Sequence, residues 1–344
     1  MENAFKIEVL ATFDEPWAMA VSPSVPWALV TEKSGKLKCW NESGVREIVG
    51  GPAVDYSGQG GLGDVAFQPG FASSPPVFIS WVEAGPNGTR GAVVGRGVLG
   101  NHCLLWAPAP KVIWRQSPKV TGSGHFSHRI AFSPDGKYLF IASGERQKFT
   151  PAQDLSVNLG KILRLNLDGT PAAGNPFADK GGVSAEIWSY GHRNILGLQF
   201  DAQGRLWALE HGPKGGDELN RIEPGKNYGW PLVSDGDNYD GTPIPRNATR
   251  PDLAQPAISW NPVIAPGDFI FYSGKMWPEW KGQALIAALG SEGLVRVRIT
   301  DEKAVEVARH PLGKRIREIR EAPDGSLYVL EDGKGGRLLR LSRK

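Results

Sequence analysis

The sequence predicts an all-β protein, one six-bladed β-propeller domain over residues 1–344, and two observations carry that prediction. The 44 glycines and 27 prolines are spread along the whole chain, and no stretch of ten or more residues sustains an apolar face at helical spacing. A pattern also recurs: a hydrophobic pair, a Pro-Asp-Gly-like turn, then an alternating apolar strand that ends near Gly or Glu.

Taken in chain order, FKIEVL (Phe5 to Leu10) alternates apolar and charged residues and is expected as an outer strand that pairs with the C-terminal blade, removing exposed sheet edges. Looser copies of the pattern are MAVSPSVPWALVTEKSG from Met19 and VAFQPGFASSPPVFISWVE from Val65. Clear copies follow as IAFSPDGKYLFIASGE (Ile130 to Glu145) and LQFDAQGRLWALEHG (Leu198 to Gly212). FIFYSGKMWPEWKGQALIAALG from Phe269 fills the same slot, and IREAPDGSLYVLEDG (Ile319 to Gly333) is the last. Asp-Gly or Gln-Gly between alternating apolar runs supplies the positive φ angles of tight hairpin turns. After most copies comes a further strand of alternating long residues: KLKCW, KILRLNL, GLVRVRI and GRLLRLS. Six copies of roughly four short strands make six blades, and the uneven spacing falls to loops, where sites are built. A β-sandwich with a small extra domain is the alternative.

Charge excludes some partners. Lys and Arg number 39 against 36 Asp and Glu, a net +3, with no block of like charges and no basic helix. Nucleic acid and acidic membrane surfaces are therefore not expected as partners. No run has the length of a transmembrane helix, and MENAFKIEVLATF lacks a basic leader and an apolar core, so neither membrane insertion nor a signal peptide is expected. Cys39 and Cys103 lie far apart, neither in a zinc-like neighbourhood; they are structural or free thiols, or one disulfide.

Four segments hold the unusual polar residues. In GSGHFSHRIAF, His125 stands at a loop end before a strand whose apolar run begins at Ile130, as a base or as a hydrogen-bonded structural residue. In YGHRNILGLQF, His192, Arg193 and Asn194 form a donor-rich turn suited to holding a carbonyl or oxyanion, or to a loop hydrogen-bond network. LEHGPKGGDELNRIEPGKNYGW brings backbone carbonyls together at Gly212-Pro213 and Gly215-Gly216, followed by Asp217, Glu218 and Tyr228; an all-oxygen set of this kind prefers calcium to zinc, without EF-hand spacing. In GKRIREIREAPDG, Arg315 and Arg317 project to one side of a strand as a fork for a multi-carboxylate ligand, unless this is an exposed edge strand offset by Glu318 and Glu321.

In that order, HFSHR, AEIWSYGHRN, LEHGPKGGDELN, GKNYGWPL and RIREIREAPDG resemble the soluble aldose sugar dehydrogenases that depend on pyrroloquinoline quinone (PQQ), relatives of soluble quinoprotein glucose dehydrogenase. The resemblance runs from EVLATFDEPWAMA and GQGGLGDVAFQPGF through NPF to the last blade. It implies a six-bladed propeller that oxidises aldoses to lactones with PQQ and calcium as cofactors and passes electrons to an external acceptor. His125 matches the general base, which takes the anomeric hydroxyl proton as hydride passes to the quinone; a neutral imidazole at pH 7 suits that role. His128 is then local structure. Arg193 and Asn194 match the pair beside the reactive quinone carbonyl. Gly212 and Pro213 match carbonyl ligands of an active-site calcium, and Glu218 and Tyr228 match ligands of a calcium site. Gln59, Tyr239, Arg315 and Arg317, with His125, Arg193 and Asn194, match cofactor contacts, the arginines pairing with the tricarboxylate.

One departure stands out. Relatives carry a lysine in a GxLK segment, whereas this chain reads AALGSEG with Gly290, so one cationic contact is missing and affinity is weaker or is supplied by a neighbouring group. The loop from Asp235 to Pro256 does not identify a sugar. The resemblance also implies a periplasmic or secreted monomer or homodimer. A calcium-dependent propeller lactonase would use the same calcium and histidine without the fork or GHRN, and a non-catalytic binding module would need none of these residues.

Overall fold

Alternating apolar and polar residues, punctuated by Gly-containing turns, build six antiparallel sheets of four strands each. The computed structural model describes residues 5–22, 26–71, 74–100, 104–301 and 303–344. Blades 1 to 6 begin with the innermost strands Pro16–Val21, Leu62–Phe67, Ser127–Phe132, Ile195–Phe200, Pro266–Phe271 and Ile316–Glu321. Each of these strands touches the next and the last touches the first, so the ring closes around a central axis. The expected all-β six-bladed propeller is the observed fold, with no α-helix among the described residues.

Blades 1 to 5 run outward in chain order, whereas blade 6 takes its outermost strand from the other end of the chain. Phe5–Asp14 pairs antiparallel with Lys334–Arg343, in a register that sets Phe5 opposite Arg343 and Ile7 opposite Leu341. The apolar core lies between adjacent blades: Trp207, Phe269 and Ile286 pack between blades 4 and 5, for example. Ile316–Glu321 is an innermost strand, so the exposed-edge reading of Arg315 and Arg317 does not hold. Glu318, assigned under that reading to offset surface charge, is fully buried. Cys39 is buried in blade 1; Cys103 lies outside the described residues, and with it the possible disulfide.

Arg129 occupies the axis. Its guanidinium group donates to Leu196 O of blade 4 at 2.7 Å and to Gly267 O of blade 5 at 2.8 Å. It also pairs with Glu318 of blade 6 at 2.9 Å, meets Asp64 of blade 2 at 3.4 Å, and lies 4.1 Å from the centre of the Trp17 ring of blade 1. One blade 3 side chain therefore contacts all five other blades. Arg320, half-buried and paired with Asp268 and Glu318, completes a cluster of three buried carboxylates and two guanidinium groups. No helix among the described residues is long and apolar enough to cross a membrane.

Candidate active site

Residues at the starts of the innermost strands, and the loops entering them, enclose a cavity of about 290 Å³ above the Arg129 cluster. Gln59, His125, Arg193, Asn194, Tyr239, Arg315 and Arg317 all line it, brought together from widely separated parts of the sequence. A larger cavity of about 840 Å³, walled by Trp27, Phe67, Phe132 and Phe200, involves the opposite ends of the innermost strands and contains none of these residues.

The loop carrying His125 is strained. His125, Ser127 and His128 have φ of 50°, 57° and 47°, the left-handed region that side chains with a Cβ avoid. Such strain persists only where surrounding bonds over-determine the backbone. Gln59 Oε1 accepts the His125 N–H at 2.8 Å, and Ser127 Oγ accepts the Ile195 N–H at 2.8 Å. At Gly144 a Cβ would collide with the His125 carbonyl, so the glycine lets Glu145 approach the histidine. His125 Nδ1 forms a short hydrogen bond with Glu145 Oε1, and the carboxylate also accepts the N–H groups of Gln147 at 2.9 Å and Phe149 at 2.6 Å.

This pairing sets the charge states. Burial pushes the His125 pKa below its usual 6.5, outweighing the bond to Glu145, and the Arg193 charge adds to the lowering. Burial opposes ionisation of Glu145, but the His125 bond, the Phe149 N–H and Arg193 hold its pKa below the usual value. A neutral imidazole with Nδ1 bonded to a carboxylate carries its proton there, leaving Nε2 as the basic atom. His128 is buried at the cavity floor and tilted against Trp17, its pKa driven to about 3 by burial and by Arg129 and Arg146.

Across the cavity, Arg193 is anchored by its main-chain N–H to Glu210 Oε2 at 2.8 Å and by Nη1 to His211 O at 3.1 Å. Tyr239, 74% exposed, stands at the rim with its hydroxyl 3.5 Å from Arg193 Nη2. Asn194 Oδ1 accepts from Ser127 Oγ at 3.2 Å, linking the loop of the histidine to the arginine turn. In blade 6, Arg315 and Arg317 donate to the two oxygens of Asp332 at 3.0 and 2.9 Å. Gly290 follows cavity-lining Leu289; a Cβ there would lie 2.8 Å from Ile264 O, so no side chain fits without a backbone shift.

A small adjoining cavity of about 20 Å³ is lined by Gly212, Pro213, Glu218 and Tyr228, with Glu210 and His211 beside them. Glu210 and Glu218 face each other across the antiparallel pair Leu206–Glu210 and Asp217–Ile222, and both accept from Asn220 Nδ2, at 3.3 and 3.2 Å. Burial and the nearby Glu210 raise the Glu218 pKa to about 8. The Tyr228 hydroxyl is already engaged, donating to Arg221 O at 2.5 Å and accepting the Glu223 N–H at 2.9 Å. Among the described residues no three His, Cys, Asp or Glu side chains cluster as a metal site, so any cation here depends on carbonyl oxygens as well.

Sequence reasoning missed Glu145, Glu210 and Asp332. Glu210 carries one available signal, since it closes the second strand of its repeat as Glu32 and Glu331 do, and Glu145 lies two residues past the end of its own, Tyr138–Ser143.

Fold and site together define a propeller enzyme with a cation-rich pocket and a carboxylate-oriented histidine. The chain belongs to the glucose/sorbosone dehydrogenase family, whose model matches residues 13–340. Aldose sugar dehydrogenase YliI of Escherichia coli (strain K12) is 39% identical over 345 residues, covering 98% of this chain and 92% of that protein. The crystal structure of the soluble aldose sugar dehydrogenase from Escherichia coli in the apo form superposes with a TM-score of 0.94 at 38% identity, over 99% of this chain and all of that one. The PQQ-bound form of aldose sugar dehydrogenase from Streptomyces coelicolor gives 0.79 at 28% identity, over 99% of this chain and 98% of that one.

Proposed function

We propose that this enzyme oxidises aldose sugars at the anomeric carbon to lactones, with PQQ and calcium as cofactors and His125 as general base. Family membership and the PQQ-bound relative support sugar oxidation by a quinoprotein. The observation that carries the finer reading is the His125–Glu145 pair opening onto the same cavity as Arg193 and the Arg315/Arg317 fork. A lactonase would have no use for that fork.

The residues fit both cofactors. A tricarboxylate suits a cavity where two arginines share one aspartate, because a ligand carboxylate replaces or joins Asp332 as their partner. Calcium suits the smaller pocket: two buried carboxylates opposite each other repel unless a proton or a cation lies between them, and a space of this size holds a single water-sized occupant. When bound, PQQ supplies a two-electron oxidant for the sugar and calcium supplies Lewis-acid polarisation.

The protein's own contribution is positional. His125 Nε2 accepts the proton of the anomeric hydroxyl while Glu145 fixes the tautomer and stabilises the imidazolium that forms. Arg193 and Asn194 present donors and positive charge where negative charge develops. Gln59 holds the His125 main chain, and the fork fixes ligand orientation. Electrons then leave to an external acceptor, and a periplasmic or secreted location with one or two subunits completes the reading.

The test is dye reduction by purified apo-protein with glucose and other aldoses, before and after adding PQQ and calcium together. Activity that needs both is the expected result. No activity, together with no absorbance change on quinone titration, would overturn it.

A further inference from the structure

We infer that Lys33 is a cofactor-binding residue, a third cation beside the Arg315/Arg317 fork that pairs with a carboxylate of the ligand. The inference rests on the proposed quinone reading of the cavity.

Lys33 directly follows Trp27–Glu32, the second strand of blade 1, and its half-buried side chain lines the cavity. Blades 1 and 6 are neighbours in the ring, so Lys33, Arg315 and Arg317 share one sector of the wall. Arg193, from the connection between blades 3 and 4, faces them from elsewhere on the rim. That asymmetry suits a ligand with its carboxylates on one side and its reactive carbonyl on the other.

The Lys33 ammonium is under-used. It has three protons to donate, yet its hydrogen bond is to Gly58 O, at a long 3.2 Å, and it rests 5.6 Å from the centre of the Tyr56 ring. No carboxylate among the described residues lies within ion-pair reach of it, whereas Arg315 and Arg317 share Asp332. The sector's remaining charge is Glu15, whose main chain bonds Gly333 O and the Lys33 N–H, both at 3.1 Å, and stitches blades 6 and 1 together. Three cations against Asp332 and Glu15 leave one positive charge. Without Lys33 the sector is neutral, so this residue decides whether the wall attracts a polyanion. Gly290, where no side chain fits, cannot take its place.

A purely structural role is the competing explanation, since the Gly58 bond steadies the loop that carries Gln59 and through it His125. The two are separated by measuring equilibrium binding of PQQ and of its trimethyl ester, at low and high salt, to wild type, Lys33→Met and Lys33→Arg. Charge pairing predicts that Lys33→Met weakens PQQ binding about ten-fold or more at low salt and flattens its salt dependence. Ester binding should change less than about two-fold, and Lys33→Arg should retain affinity for PQQ. Equal losses for acid and ester, or no loss for either, would overturn the assignment. If the apo Lys33→Met protein melts early, Lys33→Gln and Lys33→Arg decide by the same acid-to-ester comparison. Failure of wild type to bind either ligand would instead overturn the quinone reading, and this inference with it.

Discussion

At His125 the two ring nitrogens have different jobs. Nδ1 is committed to Glu145, so proton traffic falls to Nε2, and the pKa depressed by burial keeps that atom unprotonated at neutral pH. In the proposed mechanism the basic form is the active one, so activity is expected to be full above the lowered pKa and to fall as pH drops through it. The acid limb of kcat/KM therefore lies below pH 6.5, the ordinary histidine value. In Glu145→Gln two influences that raise the pKa disappear; we expect the limb to move further down in pH and kcat to drop about ten-fold or more, read from the pH–rate profile. His125→Ala should cost at least about a hundred-fold in sugar oxidation while quinone titration stays near wild type, and near-normal turnover would remove it from the mechanism. The place of His125 at a loop end ahead of a strand was legible in the sequence, and its proposed role came from the family resemblance. Glu145 was not legible, because it lies 20 residues away and only the hairpin Ser127–Phe132 with Tyr138–Ser143 brings the two together. Its place just past a strand end reads as punctuation until the fold gives it a direction.

The hairpin of blade 4 shows what register adds. Pairing Leu206–Glu210 with Asp217–Ile222 sets Glu210 against Glu218, an arrangement that is costly for two charges and useful for a cation. The sequence suggested carbonyl and carboxylate oxygens around Gly212 but did not show which strands would align. Register fixed by side-chain burial and turn geometry is a property of pairs of strands, and single segments do not display it. The raised Glu218 pKa gives the hairpin a pH signature. Folded, the group holds its proton up to about pH 8, against an ordinary value of 4.5, so its contribution to stability is complete below 4.5 and is lost as pH rises toward 8. In the proposed reading calcium takes the place of the proton that rising pH removes. Melting curves should show calcium raising Tm, and raising it more at pH 8 than at pH 6, where protons compete for the site. An equal or smaller shift at the higher pH would speak against Glu218 as a ligand.

Over the whole molecule, the ring is tied at its centre by Arg129 and at its seam by the first and last strands. The propeller itself was readable because each blade repeats a local turn-and-strand pattern. The role of Arg129 was not, since its contacts reach from Trp17 to Glu318 and belong to no repeat. Replacing it by Met leaves three buried carboxylates with one guanidinium; we expect a loss of roughly 3–5 kcal/mol in denaturant unfolding. Calorimetry on wild type should give one cooperative transition for residues 1–344, since no blade is free of the hub. The seam has a mechanical consequence as well. Phe5 lies opposite Arg343, so the first strand begins and the last strand finishes at the same end of one two-strand ladder. Tension applied between the ends would peel that ladder rung by rung instead of shearing all its bonds at once, and blade 6 would open at low force while the other blades carried no load. Tethering through either end alone leaves the latch unstressed.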